Sequence, residues 1–122
     1  MGDGVTYIAS AVFYGCTSLA KVTLSRSLEA IESDTFGNTN LVSITIPDNV
    51  RSIGFGAFYG CSNLERVNLG RHLRSVDRDA FGGCESLRYT AFDGGEQAFG
   101  LIDINQLGNE YLIEGYYNYL NK

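Results

Sequence analysis

Apolar residues recur along the chain in a fixed order, in segments that begin at Ile8, Ile31, Ile53 and Val76, at spacings of 23, 22 and 23 residues. Each segment starts with an aliphatic residue, carries phenylalanine five positions later and ends in a run of alternating apolar and polar residues. Such alternation is typical of a β-strand with one buried face. The pattern therefore predicts four copies of one unit, each containing a short strand.

A unit of this size has too little surface to bury its own apolar face, so the copies must stack in register to form one core. Phe13, Phe36, Phe58 and Phe81 would then form one column of that core. Parallel strands stack about 4.8 Å apart, so four coils would make a slab only roughly 20 Å long. We expect a solenoid of about four 22–23-residue repeats over residues 1–100.

The last segment, residues 101–122, leaves the repeat and is expected to form a C-terminal capping segment. A helical stripe is the favoured form, and Asn109 is placed to cap its start. Gly115 leaves a strand along the end of the sheet as the alternative. Either form would cover the apolar end of the last coil. The stripe consists of Leu112, Ile113, Tyr116, Tyr117 and Leu120.

One motif narrows the type of repeat. The stretch from Ile53 to Leu64 reads I-G-x-x-A-F-x-x-C-x-x-L. It resembles the BspA-like, or treponemal-type, leucine-rich repeat family, over about residues 5–92. The resemblance implies an α/β fold, a right-handed leucine-rich-repeat solenoid with a parallel β-sheet on its concave face. It also implies protein binding and adhesion by a cell-surface or secreted protein.

Charge and composition narrow the range of partners. The 122 residues fit one domain, and fourteen acidic against nine basic side chains give a net charge of −5. That balance argues against binding to nucleic acid or to an anionic membrane. The chain has no apolar run long enough to span a membrane and no signal peptide, so we expect no membrane insertion. A surface or secreted location rests on the resemblance alone.

Candidate chemistry is sparse. Cys16, Cys61 and Cys84 share one repeat position, so we expect buried free thiols, with a disulfide between the last two as the alternative. There is no C-x-x-C pair and only one histidine, which argues against a metal site. We expect that histidine, His72, to hydrogen-bond the backbone where the chain leaves a strand. No nucleophile or phosphate-binding motif occurs, so we expect no enzymatic activity and no cofactor.

The outward positions of the predicted strands form the candidate binding face. Five of the nine cations, among them Arg26, lie on or beside this face, and Arg66 and Tyr89 are the expected anchors. The alternative is that these are ordinary solvated strand residues. The predicted partner-binding residues are Lys21, Thr23, Ser43, Thr45, Arg66, Asn68, Arg71, Arg88 and Tyr89.

The two ends of the array predict possible self-association. No cap precedes the first coil, and tyrosine, which is enriched in protein interfaces, clusters near the C-terminus. A homo-oligomer through a terminal coil is therefore possible, and so is a structural or self-assembling segment of a longer protein with no ligand of its own. The predicted oligomer contacts are Tyr111, Tyr116, Tyr117 and Tyr119.

Overall fold

The repeating units form successive coils in the computed structural model, which describes residues 1–121. Lys122, the last residue of the predicted capping segment, lies outside the described residues. The described chain contains short strands and two helices, α1 (Gly95–Gly100) and α2 (Glu110–Leu120). The strands are β1 (Ala30–Ile31), β2 (Ser43–Thr45), β3 (Ser52–Ile53), β4 (Arg66–Asn68), β5 (Ser75–Val76), β6 (Tyr89–Ala91) and β7 (Asp103–Ile104).

The strands lie in two parallel sheets, of which the sequence predicted only one. One sheet has the order β1-β3-β5-β7 and the other the order β2-β4-β6. Each strand of the first sheet is two residues long, too short to show an alternating pattern, and this is why the sequence did not reveal it. In the three-stranded sheet, Ile44 pairs with Val67 and Val67 with Thr90, so equivalent positions of successive units are in register.

A column of phenylalanine rings forms the centre of the core. Phe13, Phe36, Phe58 and Phe81 stack face to face, with ring centroids 5.4, 5.4 and 5.0 Å apart. The last three are fully buried, whereas Phe13 in the first coil is only partly buried. The predicted column is therefore present, and its exposure increases toward the N-terminal end.

We call the turns that carry the phenylalanine column the outer turns. Backbone hydrogen bonds join the outer turns of successive coils with one polarity. Phe13 donates to the carbonyl of Thr35 (3.0 Å), Phe36 to that of Ala57 (2.8 Å), and Phe58 to that of Ala80 (2.7 Å). Each coil thus presents N–H groups to the coil that follows it. The turns also need left-handed backbone, and Asn38 (φ 54°) takes the position that glycine holds in the other units.

The first coil differs from the others. Residues 1–29 contain no strand, and Cys16 is exposed, which corrects the prediction of three buried thiols. The thiol of Cys61 donates to the carbonyl of Phe36 (3.1 Å), and the Cys84 thiol contacts Phe58 in the same way (3.2 Å). Each buried cysteine is therefore covered by the preceding coil, and the described chain has no coil before Cys16. All three cysteines are free, so no disulfide joins Cys61 to Cys84.

The repeat geometry continues beyond residue 100, because β7 pairs with β5. Helix α2 then packs against β6, where the hydroxyl of Thr90 donates to the carbonyl of Leu112 (2.8 Å). Gly115 permits this close approach, since a Cβ atom there would lie 2.6 Å from the Thr90 hydroxyl oxygen. The glycine that argued against a helix in the sequence is thus required by the way the helix packs.

Asn109 precedes α2, but its side chain makes no capping hydrogen bond, contrary to the sequence prediction. It is fully buried and points toward the last turn of the repeat array instead. Its amide oxygen accepts from the N–H of Phe81 (3.0 Å), and its amide nitrogen donates to the carbonyl of Asp77 (2.9 Å). The side chain therefore substitutes for the carbonyl that a further coil would supply.

Candidate protein-binding face

The candidate face is the outward side of the β2-β4-β6 sheet, which we call the sheet face. Strand pairing aligns Ser43, Arg66 and Tyr89 in one row and Thr45, Asn68 and Ala91 in the next. Ser43 and Thr45 are exposed, and the two β4 residues are half-buried. The pairing thus brings together the candidate residues of β2, β4 and β6.

A groove separates the first coil from β2, which is an edge strand of its sheet. The groove has a volume of about 320 Å³ and is lined by Lys21 and Thr23 on one side and by Ser43 and Thr45 on the other. A second groove of about 420 Å³ adjoins it and shares Arg26, Thr45 and Pro47. Four predicted residues therefore surround one concave surface, and Pro47 belongs to it although the sequence analysis did not select it.

Hydrogen bonds hold the polar side chains of the sheet face in place. The amide nitrogen of Asn68 donates to the hydroxyl of Thr45 (3.1 Å), and Nε of Arg66 donates to the amide oxygen of Asn68 (3.0 Å). The Arg66 guanidinium also lies 6.0 Å from the ring centroid of Tyr119, at the outer limit of a cation–π contact. Side chains held in this way lose less conformational entropy when a partner binds.

Three predicted residues lie at the margins of this surface. Arg71 is exposed beyond β4, and its N–H donates to a carboxylate oxygen of Asp48 (3.0 Å). Arg88 is exposed, and its carbonyl accepts from the amide of Asn118 in α2 (3.1 Å). Tyr89 is partly exposed at the β6 end of the row that contains Arg66. The face is therefore bounded by α2, which the sequence could not position.

His72 agrees with its predicted structural role. Its Nδ1 atom lies 2.9 Å from the carbonyl oxygen of Asp48 in the preceding unit. Asn49, at the equivalent position one unit earlier, donates from its amide nitrogen to the carbonyl of Arg26 (3.1 Å). Polar side chains at this position therefore join consecutive turns.

The tyrosines of α2 divide into core and surface residues. Tyr116 is 1% exposed and stacks on Phe99 with ring centroids 3.8 Å apart, so it is a core residue and cannot be an oligomer contact. Tyr111 and Tyr117 are exposed, and Tyr119 reaches Arg66 on the sheet face. Tyr119 therefore contributes to the sheet face, whereas the sequence predicted it as an oligomer contact.

Residues 1–121 lack two further classes of site. No group of three or more histidine, cysteine, aspartate or glutamate side chains there could hold a metal ion. Within the same residues, neither helix has the length and apolar character needed to cross a bilayer.

Comparisons with known proteins agree with this architecture. A family model described as "BspA type leucine rich repeat region" matches residues 1–100 in six copies. The apolar positions that recur in the sequence give four units over the same range. No curated protein matches the chain. A solved structure of a leucine rich cell surface protein from Faecalibacterium prausnitzii A2-165 is 27% identical, with a TM-score of 0.81. The alignment covers 84% of this chain and 27% of that protein, so this chain corresponds to a small part of its length.

Proposed function

We propose, from the premise that this chain belongs to the BspA-type leucine-rich repeat family, that it is a protein-binding module of a cell-surface or secreted adhesion protein. Its partner binds on the sheet face and in the groove between Lys21 and β2. The chain performs no catalysis and needs no cofactor. The similarity to a leucine rich cell surface protein supports the location.

One observation carries the proposal: the groove of about 320 Å³ beside the ordered polar side chains of β2 and β4. Lys21 and Arg66 place positive charge on this side of a chain whose net charge is −5. A cationic surface steers an acidic partner during association, while a groove supplies contact area that a flat sheet lacks. The expected partner surface is therefore acidic or polar.

Two further features belong to this proposal: the hand in which the coils wind and the cap at the C-terminal end. The coils wind as a right-handed solenoid, which is the hand of nearly all parallel crossover connections. Helix α2 is the cap that ends the array, and the contacts of Leu112 with Thr90 in β6 and of Asn118 with Arg88, just before β6, support this role. A capped C-terminal end keeps the last strands from pairing with other chains.

Site-specific photo-crosslinking tests the binding face. A benzoylphenylalanine at Ser43 is expected to crosslink partners from a panel of purified extracellular proteins, and one at Ser62, on an outer turn, is not. Lys21→Glu should weaken binding of a captured partner about tenfold, the effect of losing about 1.4 kcal/mol. Arg51→Glu makes the same charge change away from the sheet face and is the matched control. Equal crosslinking from both positions would refute the assignment.

A second candidate function is a stacking segment within a longer repeat protein. The carbonyls of Ser10, Val12 and Tyr14 hold the positions that accept inter-coil hydrogen bonds in later units. Within residues 1–121 they accept none. The exposed thiol of Cys16 marks the same uncovered end. In this function, the open end of the first coil receives another coil.

A further inference from the structure

Three aromatic rings are exposed together on the outer turns, on a different surface from the sheet face. Tyr14, Phe55 and Tyr59 have 52%, 45% and 48% of their surface exposed. With Asp34, Gly56 and Asp79, they line a slot of about 260 Å³ that crosses all four coils, which we call the outer-turn slot. Core packing does not explain why so much aromatic surface stays in contact with solvent.

The two tyrosine rings of the slot are held in position by the following coils. The Tyr14 ring lies over Gly37, where a Cβ atom would come within 2.8 Å of it, and its hydroxyl accepts from the amide of Asn38 (2.8 Å). The Tyr59 ring lies over Gly82 in the same way, at 3.0 Å. The slot therefore has preformed walls, which lowers the entropy lost when a ligand enters.

Carboxylates complete the slot. Asp34 and Asp79 both have left-handed backbone, with φ of 58° and 55°. A Cβ atom on Gly56 would lie 2.5 Å from Oδ1 of Asp34, so the carboxylate lies against Gly56 of the next coil, and both residues line the slot. Within residues 1–121 Asp34 has no ion pair, whereas Asp79 lies 3.4 Å from Nε of Arg78. The slot thus contains one uncompensated negative charge among aromatic faces.

We propose that the outer-turn slot binds an arginine side chain of a protein partner, which is a second contact surface beyond the proposed function. A guanidinium is flat, stacks on aromatic faces and donates two parallel hydrogen bonds to a carboxylate. The electron-rich faces of tyrosine and phenylalanine attract a cation, and the acidic net charge of the chain attracts it over a longer range. The slot supplies both features at one place, with Asp34 as the acceptor.

A titration with a small probe tests the slot without an identified partner. The isotope-labelled 122-residue chain is titrated with N-acetyl-arginine amide and, separately, with N-acetyl-citrulline amide, the neutral isostere. The arginine probe should shift the amide resonances of Asp34, Phe55, Gly56 and Tyr59 in a saturable manner. The citrulline probe should bind about fivefold to tenfold more weakly, since it lacks the charge for the cation–π and carboxylate contacts. Equal binding of the two probes, or no saturable shift at these amides, overturns the proposal.

Variants then assign the binding to named side chains. Asp34→Asn keeps a residue that tolerates left-handed backbone, as Asn38 does at φ 54°, and it should weaken the arginine probe about tenfold. Tyr59→Leu tests the aromatic wall independently and should also weaken binding. Asp93→Asn removes the same charge from an exposed position outside the slot and should leave binding unchanged. If Asp93→Asn weakens binding as much as Asp34→Asn, the effect is one of net charge and the slot is not the site.

Discussion

Cys16, Cys61 and Cys84 occupy one position of three units and have different surroundings. Cys61 and Cys84 donate hydrogen bonds to carbonyls of the preceding coil, whereas Cys16 is exposed. Burial raises the pKa values of the Cys61 and Cys84 thiols above their ordinary value. Since the thiolate is the reactive form, identical residues here should differ in reactivity.

Alkylation measures that difference. Native protein treated with iodoacetamide near pH 8 should gain one label, at Cys16, and protein unfolded in urea should gain three. The raised pKa values keep Cys61 and Cys84 protonated at this pH, and the surrounding core excludes the reagent. Peptide mass spectrometry identifies the labelled residue. Labelling of Cys61 in the native protein as fast as that of Cys16 would show that the preceding coil does not cover Cys61.

Tyr116 shows a different consequence of burial. Its hydroxyl oxygen is buried and has no hydrogen-bond partner within residues 1–121, although its ring packs well against Phe99. Leaving a buried polar group unpaired costs about 1–3 kcal/mol. Tyr116→Phe should therefore raise the free energy of unfolding by about 1 kcal/mol. Urea titration measures the change. Tyr117→Phe, at an exposed site, is the control and should have no effect. A loss of stability in Tyr116→Phe would show that the Tyr116 hydroxyl has a hydrogen-bond partner.

At the scale of elements, no strand in the described chain exceeds three residues, so none is stable alone. The stability of each strand comes from hydrogen bonds to adjacent coils and from buried residues such as Ile44 and Val67. The last coil needs the same support from a segment that is not a repeat. Helix α2 and the turn before it supply that support through Leu112 and Asn109.

Asn109→Ala tests the contribution of this turn. The substitution leaves the N–H of Phe81 and the carbonyl of Asp77 without their partner, so the free energy of unfolding should fall by about 2–3 kcal/mol. Asn121→Ala removes an exposed amide whose bond is to the carbonyl of Tyr117, and it should change stability by less than about 0.5 kcal/mol. Equal losses in the two variants, measured by urea unfolding, would show that Asn109 does not support the array.

At the scale of the whole molecule, the inter-coil hydrogen bonds give the array a direction. On the outer turns, the N-terminal end presents the carbonyls of Ser10, Val12 and Tyr14, and the N–H groups of Asp79 and Phe81 at the other end already bond to Leu107 and Asn109. On the side of the β2-β4-β6 sheet the bonds run the other way, because Val42 donates to the carbonyl of Ala20 (3.4 Å) and Glu65 to that of Val42 (2.7 Å). A further coil therefore satisfies the outer turn of the first coil only if it presents N–H groups there, as the repeat itself does.

A fusion tests that directional rule. A copy of residues 53–75 is placed directly before Ile8 and replaces residues 1–7, whose contacts with the first coil through Met1 and Asp3 are exposed. It should add three backbone hydrogen bonds on the outer turns and raise the free energy of unfolding by about 3 kcal/mol. Cys16 should then lose its reactivity toward iodoacetamide. A scrambled copy of the same residues is the control. If both fusions have the same stability and the same labelling at Cys16, the first coil does not accept a repeat.

The sequence by itself determined the repeat, the phenylalanine column and the outward positions of the β2-β4-β6 strands. These features follow from residue type and local spacing, which the chain repeats from unit to unit. Only the tertiary structure decided the second sheet, the exposure of Cys16 and the contact of Tyr119 with Arg66. The same holds for the outer-turn slot, whose walls come from four different coils. Each of these depends on which coil covers which, and residues distant in sequence meet only after the units stack and the last helix packs on the end.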